Sequence, residues 1–138
     1  MKIKIKVNIN APIEKVWTYW NVPEYITKWC FASEDWKCPY AESDLKVGGK
    51  FLTRMSAKDK SMSFDFTGIY LEIEEYKYIK YICDGDDKRV VQIIFEKISE
   101  DETKVIEEFD PENINPSEMQ KAGWQSILDN FKKCVENN

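Results

Sequence analysis

The sequence predicts an α+β domain: a curved antiparallel sheet of about six to seven strands, wrapped on a long C-terminal helix, with two short helices after strand one. Three observations predict it. Residues 2–10, KIKIKVNIN, alternate apolar and polar without a break. From Lys50 to Phe109 strand-like segments follow one another between turns rich in Gly, Asp and Lys. Finally, residues 115–135, NPSEMQKAGWQSILDNFKKCV, repeat Trp124, Ile127, Leu128, Phe131 and Val135 at helical spacing.

The alternation puts Ile3, Ile5, Val7 and Ile9 on one face of the first strand. Pro12 then opens a short helix with an apolar stripe of Ile13, Val16, Trp17 and Trp20, and Pro23 opens a second with Tyr25, Ile26 and Trp29. Residues 36–42 form an edge strand, because Pro39 cannot donate to a ladder. Gly48-Gly49 makes a tight turn before the strand 50–57. Strands at 62–75, 78–84, 88–98 and 103–109 complete the sheet. In 62–75 the apolar phase reverses at Gly68, which predicts a bulge there. The acidic Asp84, Asp86 and Asp87 read as a solvated hairpin. The last helix starts at a capping box of Asn115, Pro116 and Glu118, with Ile114 and Met119 spaced as a hydrophobic staple.

With 138 residues, 43% of them apolar, residues 1–138 suit a single domain with a sizeable core. Twenty basic against 25 acidic residues, without a Lys/Arg cluster, argue against nucleic acid as a partner. No apolar run is long enough for a signal peptide or a membrane span, so a cytoplasmic protein without membrane insertion is expected, monomer or homodimer. Cys30, Cys38, Cys83 and Cys134 form no CxxC pair, which points to reduced thiols rather than disulfides or zinc. Histidine is absent. That removes Ser-His-Asp and Cys-His arrangements and His-carboxylate metal sites, so no metal or cofactor is expected and any catalysis must use carboxylates, Tyr, Lys or Cys.

Four stretches in order resemble a known family: NINAPIEKVWTYWNVPEYITKWC, DLKVGGKF, FTGIYLEIEEYKYIKY and AGWQSILDNF. They are similar to homologues of the C-terminal domain of the activator of heat-shock protein 90 ATPase, in the START-like (SRPBCC, Bet v 1-like) helix-grip superfamily. The resemblance implies a cavity between sheet and last helix, with the short helices and neighbouring loops at its mouth. It does not transfer one function, since the superfamily includes lipid carriers, receptors, polyketide cyclases and co-chaperones. The eukaryotic co-chaperones also carry a separate N-terminal chaperone-binding domain, for which this chain has no room, which puts chaperone contact in doubt.

Glu107 is the most pointed candidate: if Val105 and Phe109 face the helix, Glu107 does too, as a ligand-binding group or as a general acid or base with a raised pKa. The commoner outcome is a one-residue slip that leaves Glu107 in solvent with Ile106 or Glu108 inside or at the edge. Trp20, Trp29, Trp36, Phe51, Phe66, Trp124 and Leu128 complete the candidate ligand-binding set. For Trp17 and Phe51 ordinary core is the plainer reading; Tyr40, Tyr70 and Tyr81 read as strand surface. Gly123, inside the last helix, calls for a close approach by a strand or ligand, or is a tolerated glycine. The expected function is binding of a hydrophobic or aromatic small molecule without catalysis. The alternatives are an enzyme of the cyclase, dehydratase or hydrolase type using Glu107 and a Tyr hydroxyl, or a chaperone-interacting module.

Overall fold

The alternating segments form strands and the periodic ones helices, in the order β1 (Ile3–Ile9), α1 (Ile13–Asn21), α2 (Pro23–Ile26), β2 (Trp36–Ser43), β3 (Lys50–Ala57), β4 (Ser63–Glu74), β5 (Tyr78–Cys83), β6 (Val90–Ser99), β7 (Glu102–Phe109) and α3 (Ser117–Glu136). The computed structural model describes residues 2–84 and 88–138, so Asp86 and Asp87 of the expected acidic hairpin lie outside the described residues. The strands make one antiparallel sheet in the order β1-β7-β6-β5-β4-β3-β2, curled into a half-barrel around α3.

Burial of one apolar face fixes this arrangement. Alternate residues of β1, β5, β6 and β7 point into the concavity, among them Ile5, Ile79, Ile93 and Val105, and α3 lays Leu128, Phe131 and Val135 against them. The edge strand β1 is covered by the same helix. Gln125 Nε2 donates to the Lys6 carbonyl at 3.2 Å and Lys132 Nζ to the Asn8 carbonyl at 2.6 Å, while the Asn10 amide donates to Glu136 at 2.8 Å. Carbonyls that would otherwise invite another strand are thereby occupied. At the opposite edge, β2 carries Pro39 within a register irregularity between Lys37 and Tyr40.

The bulge in β4 is present but displaced. Phe66, Gly68 and Tyr70 share the inner side, and the pairing with β5 slips between Tyr70 and Glu72, so Leu71 is the extra residue. Gly68 serves a different purpose: a Cβ there would lie 2.6 Å from the Phe51 ring and 2.9 Å from the Ile82 carbonyl oxygen. Gly48, at φ +85°, makes the predicted turn and donates its amide to the Tyr70 carbonyl at 2.8 Å.

The start of α3 is also built differently from its sequence signal. No side chain caps it, and Ile114 and Met119 are 89% and 61% exposed, so neither the capping box nor the staple forms. Buried Gln120 takes over, accepting from the Glu112 amide at 2.8 Å and donating to the Asn115 carbonyl at 2.7 Å. A side chain that satisfies the preceding loop holds the helix entry as a cap would.

Two glycines give opposite expectations. Nothing lies within 4 Å of a Cβ built at Gly123, so of the two alternatives it is the tolerated glycine, and Gly123→Ala should stabilise the fold by about 1 kcal/mol. Gly68→Ala should cost about 1–3 kcal/mol, because the Ile82 backbone has to move. Urea denaturation of both variants checks the pair; equal effects would contradict the packing described.

Candidate functional site

Between α3 and the middle of the sheet the packing opens into a cavity of about 340 Å³. Its floor is the inner face of β3, β4 and β5, where alternation brings Phe51 and Thr53, then Phe66 and Tyr70, then Ile79 and Tyr81 to one side. The rings brace one another: Phe51 meets Tyr81 edge-on at 4.8 Å and Phe66 at 5.9 Å between centroids. From α3, Ile127 and Trp124 form a wall. Trp124 stacks on Phe109 at 4.0 Å and 16°, and meets the Phe66 ring near a right angle at 6.1 Å. It therefore packs on the sheet and also borders the open space.

The remaining wall comes from α1 and the segment after α2. Trp20 and Trp29 lie 5.0 Å apart, both against Phe131 of α3. The Trp29 indole N–H donates to the Tyr19 carbonyl at 2.9 Å, and Asn130 donates to the Trp29 carbonyl at 2.8 Å. Two hydrogen bonds thus fix the loop that carries Trp29 and Cys30 to α1 and α3.

Glu107 faces inward on β7, only 6% exposed; the one-residue slip does not occur. Across the sheet it falls in a row of aliphatic residues, opposite Ile5 of β1 and Ile93 of β6, with Ile79 and Ile73 beyond. Among the described residues no hydrogen bond or ion pair reaches its carboxyl, which borders the cavity. Burial raises its pKa from 4.5 to about 8. At neutral pH the acid is therefore mostly protonated, able both to donate and to accept.

The hydroxyls and the thiol beside it are pushed away from neutrality. Burial first, and the charge on Glu107 second, push the Tyr81 hydroxyl well above its usual range. Burial, then Cys38 and Glu107, raise the Cys30 thiol. Tyr70 is raised by burial and its hydroxyl hydrogen-bonds to Ser43 Oγ at 2.7 Å.

Of the candidates read from sequence, Trp20, Trp29, Phe51, Phe66, Glu107 and Trp124 come together around the cavity. Trp36 does not: it packs edge-on to Phe64, 5.9 Å away, near the sheet margin. Leu128, 1% exposed, belongs to the closed part of the core. Tyr70 and Tyr81, read as strand surface, face the cavity; the parity they share with Phe66 and Ile79 was the available signal. Arg89, also on the lining, sits in a loop where periodicity carries no information. Among the described residues no cluster of His, Cys, Asp and Glu could hold a metal ion, and no helix is long and apolar enough to cross a membrane.

A curled antiparallel sheet holding a long terminal helix, with two short helices after the first strand, defines a protein of the START-like helix-grip class. The chain belongs to the activator of Hsp90 ATPase homolog 1-like protein family, which matches residues 10–136. It is similar to the AHSA1-like protein of Aeromonas hydrophila, 43% identical over 99% of this chain and 93% of that one, with a TM-score of 0.91. A protein from Cytophaga hutchinsonii is 50% identical over the same shares, 99% and 93%, with a TM-score of 0.83. A Chromobacterium violaceum protein at 22% identity, covering 100% of this chain and 99% of that one, shares the fold with a TM-score of 0.85. Among curated proteins none matches. Family and fold are those of ligand-binding or chaperone-associated modules.

The buried carboxyl makes stability depend on pH. The folded state keeps a proton up to about pH 8 that the unfolded chain releases near 4.5. Its contribution is complete below pH 4.5, falls by up to about 1.4 kcal/mol per unit between 4.5 and 8, and is gone above that. Glu107→Gln removes the slope, so from pH 5 to pH 9 the variant should gain on the parent by on the order of 4 kcal/mol in urea denaturation. A difference that stays constant with pH would mean a solvated carboxyl.

Proposed function

We propose that the protein binds an apolar or aromatic small molecule in the cavity between the sheet and α3 and releases it unchanged. One observation carries this reading: the aromatic-walled space contains a buried carboxyl that no described group satisfies. Empty volume forfeits packing, and a buried polar group without a partner costs free energy. A ligand with an apolar body and one polar atom offsets both. Ligand pockets of this kind have volumes from about 300 Å³ upward, apolar walls and few polar groups.

A second reading, an enzyme of the cyclase, dehydratase or hydrolase type, draws on Glu107 and Tyr81 lining the same space. A carboxyl that is protonated at neutral pH can act as a general acid on a substrate held against it. Chaperone association, which the family description names, would act through the outer surface and is separable by an ATPase assay with Hsp90.

Titration with N-phenyl-1-naphthylamine, a neutral fluorophore that brightens in apolar surroundings, tests the binding reading. The expected result is one site with a dissociation constant on the order of 10 μM. Ile127→Trp, which fills the cavity from α3, should abolish the enhancement while unfolding remains cooperative. No enhancement in the parent, or undiminished enhancement in the filled variant, overturns the reading.

A further inference from the structure

We propose that the ligand of this cavity is an organic cation, an ammonium group on an aromatic or apolar body, with Glu107 as its counter-ion. The inference rests on the cavity being a ligand site, as proposed above. It begins with the row in the sheet. Ile5 and Ile93 flank Glu107 with Ile79 next in the row, and an aliphatic residue at 107 would continue them without any desolvation cost. A carboxyl stands there instead. Among the described residues no cation reaches it and no backbone or side-chain donor satisfies it.

The walls suit the same charge. Trp20, Trp29, Phe51, Phe66 and Trp124 surround the space, and aromatic faces attract cations through their quadrupoles. Glu42 and Glu112 add carboxylates to the lining, held by the Tyr40 hydroxyl at 2.6 Å and the Asn115 amide at 3.1 Å. Arg89 is the cation of the lining among the described residues, and it is already engaged with a neighbouring group. An anion entering this space meets the Glu107 carboxyl and electron-rich rings. A neutral molecule gains the rings and one hydrogen bond to the protonated acid. Only a cation is favoured both by the ionised carboxylate and by the ring faces.

Binding is then linked to loss of the Glu107 proton. The titratable groups on the lining beside Glu107 are Tyr81 of β5, Tyr70 of β4, Glu42 of β2, Cys30 after α2, Arg89 before β6 and Glu112 after β7, while Cys38 acts on Cys30 and Cys83 on Tyr81. α1 and α3 contribute uncharged Trp20, Asn21, Trp124 and Ile127. Tyr81, Tyr70, Cys30 and Cys38 are all moved upward, away from neutrality, while burial brings Glu107 to about 8.

Isothermal titration with tryptamine, tryptophol and indole-3-acetate tests the inference, since the three share one ring and differ in charge. Tryptamine should bind at least about tenfold more tightly than tryptophol at pH 8.5. Its affinity should rise about tenfold per unit from pH 6 to 8 and level off above, and at pH 7 each binding event should release close to one proton into the buffer. In Glu107→Gln the advantage and the pH dependence should vanish, and cooperative urea unfolding reports separately that the variant is folded. If tryptophol or indole-3-acetate equals tryptamine, or if the advantage survives in Glu107→Gln, the cation inference falls and the cavity reading stands. The same holds if N-phenyl-1-naphthylamine alone binds. If none of the four binds, the cavity reading falls and takes the inference with it.

Discussion

A seven-stranded antiparallel sheet with one apolar face has to be covered, and the twenty residues of α3 cannot cover all of it. The helix settles along the β1 side, where Leu128, Phe131 and Val135 are fully enclosed and polar side chains fasten it to the strand's outer carbonyls. The part of the concavity that belongs to β3, β4 and β5 is left to Trp124, Ile127 and the loop after α2. Side chains this large meet at their edges and leave volume between them. The cavity is thus a consequence of where the helix is anchored.

Glu107 is the point at which the pattern of burial and the chemistry part company. Every neighbour in its row is what hydrophobic burial would select, and the cost of a carboxylate in that row appears as a displaced proton equilibrium. Such conflicts between a local residue and its surroundings are where function is most often found. The neutral form limits that cost.

Much of this architecture was legible in the chain. Strict alternation in β1 and helical spacing in α3 gave both elements to within a residue or two, because each has one buried face. Pro39 marked the edge strand for the plain reason that it lacks an N–H. Gly68 is ambiguous in the sequence. An interior glycine signals either a bulge or a close approach, and only the position of the Phe51 ring decides between them. The entry to α3 was read from a local motif, while Gln120, reaching back to Glu112 and Asn115, depends on how the preceding loop returns. Composition and spacing place Trp36 and Leu128 with the cavity residues, but neither says how far along the groove a side chain lies. Parity with Val105 and Phe109 allows Glu107 to turn inward, but parity does not fix the register, and the aversion of a carboxylate to burial favours the solvent-facing alternative that the structure does not adopt.

The fastening of α3 across β1 bears on how the chain is made. β1 is synthesised first, yet its pairing partner β7 lies about a hundred residues downstream, as Ile5 opposite Glu107 illustrates, and the donors that occupy its outer carbonyls come later still. Until then a nascent chain carries an alternating, lysine-bearing strand with both sides open. Lys2, Lys4 and Lys6, which contribute little to the finished core, keep that strand charged during the interval when another chain could add to it.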